Sequence, residues 1–186
     1  MQIVFLLEEL SMAEFLKVLL ERYCSNIDYK LITHEGKSDL ERSLPRKLRA
    51  WRTPGARFVV VRDQDSGDCR EIKRRLVEMA GEAGRPETVI RIACRELEAW
   101  VLGDLEAIAL AFGRPRVLKG AGREKFRQPD HLGSPSQEIT RLVPEYQKVS
   151  GARRVARHLD PDRNTSHSFG KFFEALQTLV ADSVEA

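Results

Sequence analysis

The sequence predicts an α/β fold: a doubly wound, mainly parallel sheet of about four strands flanked by helices, with extra C-terminal helices. Two observations over residues 1–112 support this prediction. Apolar runs of strand length alternate with amphipathic stretches of helix length, which indicates βαβ units. The run over residues 2–8 is continuously apolar until it ends in charge, as in strands that are covered on both faces.

The individual elements follow from these runs. Strands are predicted over residues 2–8, 26–36, 56–63 and 87–94. Helices are predicted over residues 11–23, 38–51, 69–84, 95–103 and 104–113. Ser11, with Glu14 three positions later, predicts a capping box at the start of the first helix. Ser38 is expected to open the second helix, and Pro45 to disturb or restart it.

The amino-acid composition and the apolar periodicity change after the α/β core. We expect a single domain over residues 1–186, made of a core (1–112), a basic loop (113–135) and C-terminal helices (136–186). The loop is rich in Gly, Pro and basic residues and has little apolar periodicity. A chain of 186 residues suits one such domain, which would bury roughly 70% of the surface that its unfolded form exposes.

Composition and cysteine usage exclude several classes of protein. The net charge is only +3, so the chain is no polycation, and its N-terminal apolar run is too short for a signal peptide or a membrane span. Cys24, Cys69 and Cys94 are far apart and form no CxxC, which argues against a disulfide framework or a zinc knuckle. A reducing, cytoplasmic location fits this pattern.

Acidic residues gather where the predicted strands end. They are Glu8 and Glu9, then Asp63, Asp65 and Asp68, and finally Glu96 and Glu98. Ligands of an open parallel sheet bind beyond the carboxyl ends of its strands, so several of these carboxylates should meet in one cleft. Their repulsion favours a hard divalent cation between them, either Mg²⁺ or Mn²⁺. We expect Asp63 and Asp65, together with Glu8, to bind it.

The same acids also have a purely structural interpretation. Asp65 and Asp68 are residue types that cap helices, and Asp63 could pair with a neighbouring arginine. For Asp68, this interpretation is the better one. The sequence leaves open whether Glu8 or Glu9 faces the metal.

Basic residues supply a complementary feature. The segments 113–131 and 146–158 are rich in Lys and Arg, and with Phe126 and Tyr146 interleaved they could follow a phosphate backbone. Candidate nucleic-acid-binding residues are Lys37, Lys119, Arg123, Lys125, Lys148, Arg153 and Arg154. The alternative is a solvated face whose cations pair with acids. An acidic metal site beside a basic strip is the arrangement that phosphodiester cleavage needs.

Other motifs carry less information. The "EGKS" turn at residues 35–38 lacks the upstream glycine of a phosphate-binding P-loop. The four histidines show no zinc-ligand spacing, and no G-x-S-x-G motif is present to support covalent hydrolysis.

Four stretches resemble a small bacterial Toprim-like family of unknown function, related to OLD-type nucleases. They are "FLLEELSMAEFL", "HEGKSDL", "FVVVRDQDSGDC" and "RIACRELEAWVLGD". The resemblance implies that Glu8 acts as general acid or base and that Asp63 and Asp65 hold Mg²⁺. It further implies that Glu98 and Glu96 are supporting carboxylates of the metal site. Toprim glutamates are usually followed by glycine, whereas Glu9 follows here.

The implied function is that of a Mg²⁺-dependent Toprim-like phosphodiesterase or nuclease acting on nucleic acid. The resemblance also suggests an ATPase partner protein, with this chain as the effector of a bacterial defence or repair module. The alternative is a weakly catalytic or non-catalytic regulatory or nucleic-acid-binding module that keeps the acidic cluster. A receiver-like phosphoacceptor ranks last, because neither a Ser or Thr after the fourth strand nor a later Lys-Pro is present.

Overall fold

The computed structural model describes residues 1–120 and 124–185, with side chains up to Asp182. Its four strands are β1 (Gln2–Leu7), β2 (Asp28–Thr33), β3 (Arg57–Asp63) and β4 (Val89–Ala93). The helices of the core are α1 (Leu10–Tyr23), α2 (Lys37–Ala50), α3 (Cys69–Glu82), α4 (Leu97–Leu102) and α5 (Leu105–Phe112). The later helices are α6 (Pro135–Leu142), α7 (Lys148–Ala156) and α8 (His167–Glu185).

The four strands form one parallel sheet in the order β2-β1-β3-β4. From β1 the chain crosses to β2 on one side, and from β3 it crosses to β4 on the other. The strand order therefore reverses between β1 and β3. In open α/β sheets a ligand crevice forms at such a switch point, beyond the carboxyl ends of the two strands.

Helices cover both faces of the sheet, so the predicted doubly wound α/β fold is confirmed. The side chains of β1 alternate between the two layers. Phe5 and Leu7 pack with α1, α4, α5 and the C-terminal helices, whereas Val4 and Leu6 pack with α2 and α3. All four side chains are fully buried, which explains why the run is apolar at every position.

The C-terminal helices complete the larger of these two layers. The Trp100 ring stacks on Phe172 at 5.0 Å between centroids, and its indole N–H donates to the hydroxyl of Ser168 at 2.8 Å. These contacts fasten α8 to α4. Since α7 packs closely against α1 and also contacts α4, residues late in the chain lie beside the ends of β1 and β3.

Helix starts differ from the sequence prediction in two places. The predicted Ser11 capping box is wrong, because α1 begins at Leu10 and the Ser11 hydroxyl donates to the Glu9 carboxylate instead of to backbone. The second helix begins one residue before Ser38, after Gly36, whose φ of 92° favours glycine. It runs through Pro45 without a break, so the predicted disturbance at that proline is wrong.

Within the described residues, parts of the predicted basic loop have regular secondary structure. Short 3₁₀ turns occur at Pro115–Gly120, Glu124–Phe126 and Pro129–His131. The division of the chain into core, basic loop and C-terminal helices stays a prediction. None of the helices in the described ranges is long and apolar enough to cross a membrane.

Candidate active site

The switch point of the sheet is occupied by two carboxylates. Glu8 directly follows β1, and Asp63 is the last residue of β3. The backbone N–H of Asp63 donates to Glu8 Oε2 at 3.0 Å, and the N–H of Glu8 donates to the Val61 carbonyl at 3.2 Å. Only 8% of Glu8 and 4% of Asp63 are exposed, so both carboxylates lie in a poorly solvated crevice.

Burial disfavours the charged form of both groups. It raises the pKa of Glu8, although the hydrogen bond from Asp63 N–H partly offsets this effect. Burial also raises the pKa of Asp63 well above its ordinary value, and the negative charge of Glu8 raises it further. The nearest guanidinium gives weak compensation, since Arg62 Nε lies 3.8 Å from Glu8 Oε2 and Arg62 donates mainly to Glu41.

Glu98 is the third buried acid of the site. It lies in the first turn of α4, and 1% of it is exposed. Within the described residues, neither its carboxylate oxygens nor Asp63 Oδ1 has a well-aligned hydrogen-bond partner, although the Tyr146 side chain is close enough to interact with Glu98. Burial raises the pKa of Glu98 to about 7. Buried polar atoms without partners are rare and usually have a functional explanation, such as a ligand or an ion.

Lys148 supplies positive charge to this group from the start of α7. Its Nζ lies 2.7 Å from Glu9 Oε1, and it also donates to Glu9 Oε2 at 2.8 Å. The Lys148 charge lowers the pKa of Glu98 and of Asp63, in each case against the larger effect of burial. We name Glu8, Glu9, Asp63 and Glu98 the carboxylate cluster.

Asp65 lies on the loop after β3, close enough for its charge to raise the pKa of Glu8, but its carboxylate has a partner outside the cluster. Its carboxylate pairs with Lys37 Nζ at 2.7 Å, at the start of α2. Its φ is 55°, and its N–H donates to the Arg95 carbonyl at 2.8 Å, where φ is 65°. Two neighbouring non-glycine residues in the left-handed region mark backbone strain of the kind found at functional sites.

Glu96 and Asp68 have structural partners. Glu96 Oε2 accepts a hydrogen bond from the N–H of Ser136 at 2.8 Å, which ties α6 to the end of β4. Asp68 caps α3 by accepting from the N–H groups of Arg70 and Glu71, as the sequence indicated. These bonds lower the pKa of Asp68, the bond from Glu71 first.

Of the predicted metal ligands, the structure thus brings Glu8, Asp63 and Glu98 together but leaves Asp65 and Glu96 with other partners. Over residues 1–120 and 124–185, no group of three or more His, Cys, Asp or Glu side chains is arranged to hold a metal ion. The metal-binding and catalytic roles stay predictions. Glu9, the open alternative to Glu8, pairs with Lys148.

The predicted nucleic-acid-binding residues are mostly paired with acids. The ion pairs are Lys37–Asp65 (2.7 Å), Lys125–Glu138 (2.5 Å), Lys148–Glu9 (2.7 Å) and Arg153–Glu14 (3.1 Å). Arg154 lies over the Phe112 ring at 4.7 Å, Lys119 is exposed, and Arg123 lies outside the described residues. Because Phe126 and Tyr146 are buried, their predicted role along a phosphate backbone is wrong.

Tyr146 belongs to the site in a way that the sequence did not reveal. It lies two positions before Lys148, and 8% of it is exposed. Burial raises its pKa well above the ordinary value, and the adjacent Glu98 raises it further. Gly151 allows this packing, because a Cβ there would lie 2.5 Å from Tyr146 Cε2. No sequence signal distinguishes Gly151 from any other glycine in a helix.

Comparison with known proteins identifies the family of the chain and solved structures that share its fold. The family described as "Domain of unknown function (DUF4276)" matches residues 7–177. The chain belongs to the DUF4276 family. A comparison with curated proteins finds no significant match.

Two solved structures resemble this DUF4276 chain over nearly its whole length. The C-terminal region of the Burkholderia pseudomallei OLD protein matches with a TM-score of 0.58 and 15% identity, covering 96% of this chain and 98% of that one. The C-terminal region of the Xanthomonas campestris pv. campestris OLD protein matches with a TM-score of 0.53 and 15% identity, covering 99% and 98%. At this identity the likeness establishes the fold.

Proposed function

We propose that this DUF4276 chain is a Mg²⁺-dependent Toprim-like phosphodiesterase that cleaves nucleic acid. One observation carries the proposal: Asp63 Oδ1 is buried without a hydrogen-bond donor at the switch point of a parallel sheet, with Glu8 and the buried Glu98 beside it. Buried anionic oxygens are unfavourable unless a cation or a proton compensates them. The fold shared with the OLD C-terminal regions agrees with this proposal.

Carboxylate oxygens are the donors that a hard divalent cation prefers, but those of the described residues are not yet arranged around a common point, so binding would require them to move closer together. Mg²⁺ is usually bound by one or two protein carboxylates and completes its shell with waters and phosphate oxygens. Asp63 and Glu8 would provide those carboxylates, with Glu98 in support and Asp65 available if it leaves Lys37. The cation would polarise the phosphoryl group and lower the pKa of a bound water.

The remaining side chains of the site have separate roles. Glu8, whose pKa is raised by burial, is suited to hold and release a proton in the reaction. Lys148 carries the positive charge that would meet the charge developing on a phosphoryl group. Its ion pair with Glu9 keeps the ammonium group at the crevice.

A second candidate function is a nucleic-acid-binding module without catalysis. The observation in its favour is that Lys37 and Lys148 already neutralise Asp65 and Glu9. Because those acids are paired, the remaining negative charge of the cluster would depend less on a divalent cation. The site could then bind nucleic acid without cleaving it.

Cleavage of labelled single- and double-stranded DNA and RNA, with Mg²⁺ or Mn²⁺, tests the proposal. Asp63→Asn and Glu8→Gln should each reduce cleavage by about 100-fold or more, because each removes a negative charge from the site. Glu35→Gln is the control, since Glu35 is exposed and lies outside the cluster. Equal cleavage by all three variants, or nucleic-acid binding by the wild type without any cleavage, would overturn the proposal.

A further inference from the structure

Cys69 and Cys94 meet at the rim of a pocket beside the candidate active site. The pocket has a volume of about 680 Å³ and is lined by both cysteines and by Gln64, Arg95 and His131, among others. The two thiols are close enough for the charge of one to affect the other, and both are free cysteines of intermediate burial. Small reagents in the pocket can therefore reach the pair.

The backbone explains how two cysteines so far apart in sequence meet. Cys94 directly follows β4, and the Gln64 N–H donates to the Ala93 carbonyl at 2.9 Å, which continues the pairing of β3 with β4. Cys69 is the first residue of α3, at the end of the same loop.

The side chain of Gln64 fastens that loop to the end of β4. Its Nε2 donates to the Gly67 carbonyl at 2.8 Å, and its Oε1 accepts from the Arg95 N–H at 3.1 Å. The segments that carry the two thiols are thereby held side by side.

We propose that Cys69 and Cys94 form a reversible redox-modification site, which a low-molecular-weight disulfide converts from two thiols to one intramolecular disulfide. Burial raises the pKa of Cys94 to about 11, so the attacking thiolate is that of Cys69. In the first step it attacks the disulfide RSSR, forming a mixed disulfide and releasing one RSH. In the second step the other cysteine attacks the protein sulfur of that mixed disulfide and releases the second RSH. The protein loses two electrons and two protons, and RSSR is reduced to two RSH.

The Cys69–Cys94 disulfide would change divalent-cation binding at the candidate active site, and this part of the inference rests on the proposed function. A disulfide holds its sulfurs at about 2.05 Å, closer than two unbonded thiols approach. Forming it draws the start of α3 toward the end of β4 and compresses the loop that carries Asp65. The Asp65 N–H is bonded to the Arg95 carbonyl, so both strained residues move with the loop. Oxidation therefore weakens divalent-cation binding.

Bond formation is tested on the whole protein with oxidised glutathione, followed by alkylation and peptide mass spectrometry. The expected product is a Cys69–Cys94 linkage that dithiothreitol reverses, with Cys24 still alkylated after denaturation because it is buried elsewhere. Cys69→Ser and Cys94→Ser should each lose the linkage, whereas Cys24→Ser should keep it. Stable glutathione adducts without the internal bond, or a bond to Cys24, would overturn the proposal.

The effect of the disulfide on cation binding is tested by titrating reduced and oxidised protein with Mn²⁺. The oxidised form should bind about fivefold more weakly or worse, and Cys69→Ser should be insensitive to glutathione. Equal affinities of the two forms would overturn the effect on the site. Failure of the reduced form to bind Mn²⁺ would refute the proposed function instead, while the mass-spectrometric result would stand independently.

Discussion

Glu8 and Asp63 are 55 residues apart in sequence and are joined by one hydrogen bond of 3.0 Å, from the Asp63 backbone N–H to Glu8 Oε2. That bond spans the switch point of the sheet, so each carboxylate is held at the edge of the same crevice. The hydrogen bond to Glu8 comes from the backbone of Asp63 and not from its side chain. Substituting the Asp63 side chain should therefore leave Glu8 in place.

The buried acids predict that stability falls as pH rises. The pKa of Glu98 is raised from 4.5 to about 7, so the folded state binds a proton more tightly than the unfolded state. The resulting stabilisation is complete below pH 4.5 and is lost as pH rises through 7, an effect of about 3 kcal/mol. Thermal unfolding at pH 5.5 and pH 8 measures the part of this effect that is lost between these two pH values, about 2 kcal/mol.

Under the proposed function, a divalent cation should reverse this trend. Mn²⁺ binds ionised carboxylates and is excluded by protonated ones, so it should raise the melting temperature more at pH 8 than at pH 5.5. Ca²⁺ and Mg²⁺ titrations at the same two pH values serve for comparison. An equal increase at both pH values would contradict cation binding by the cluster.

Glu98→Gln should stabilise the metal-free protein at pH 8. The amide carries no charge, so the penalty of burying a carboxylate disappears, and a gain of up to about 3 kcal/mol is expected. The variant should show a flatter dependence of stability on pH and a smaller stabilisation by Mn²⁺. Glu35→Gln, at an exposed position, should change neither quantity. Urea unfolding at both pH values measures the difference.

Gly151→Ala should destabilise the protein although the residue is helical. A Cβ would lie 2.5 Å from the Tyr146 ring, and overpacking of this kind costs about 1–3 kcal/mol, which outweighs the helix-propensity gain of about 1 kcal/mol. Gly170→Ala is the matched control, because its Cβ would meet nothing within 4 Å. That substitution should be neutral or stabilising. Equal effects of the two changes on the melting temperature would refute the packing role.

Substitutions of Asp65 and of Asp68 should differ in their effect on Mn²⁺ binding. Asp68→Ala removes the cap of α3 and should lower the melting temperature, while Mn²⁺ affinity stays within about twofold, since Asp68 lies outside the cluster. Asp68→Asn should restore the stability because asparagine caps equally well. Asp65→Asn should weaken Mn²⁺ binding if Asp65 exchanges Lys37 for the cation. Calorimetric titration distinguishes the variants.

The basic surface predicts a salt-dependent affinity for nucleic acid. Arg154 lies over Phe112 and has no acid partner among the ion pairs of the described residues, so Arg154→Ala should lower the slope of log affinity against log salt by about 1. Arg153→Ala should have less effect because Arg153 is paired with Glu14. Arg74→Ala, on a helix of the opposite sheet face, is the control. Unchanged slopes throughout would contradict a role of α7 in binding.

Much of the fold could be predicted from the apolar pattern of the sequence. Strands that are buried on both faces give continuous apolar runs, and crossover helices give amphipathic stretches. Helix starts could not be predicted as well, since Glu9 and Gly36 take the cap positions expected for Ser11 and Ser38. Propensity alone ranks serine first, and only the crossover geometry decides which residue turns the chain.

The candidate site was predictable where the sheet itself places a residue. Glu8 and Asp63 terminate adjacent strands, so strand order alone brings them together. The positions of Lys148 and Tyr146 depend on how α7 packs against α1, and a helical pattern does not specify its neighbour. The meeting of Cys69 with Cys94 likewise depends on a loop and on Gln64.

The ion pair between Lys148 and Glu9 connects residues 139 positions apart. During synthesis, all four carboxylates of the cluster leave the ribosome well before α7 does. The growing chain therefore carries concentrated negative charge without its lysine until late in translation, and long-range contacts of this kind form slowly. The acidic crevice gains its compensating charge only after α7 has been made, so a chain that stops before α7 cannot assemble the complete site.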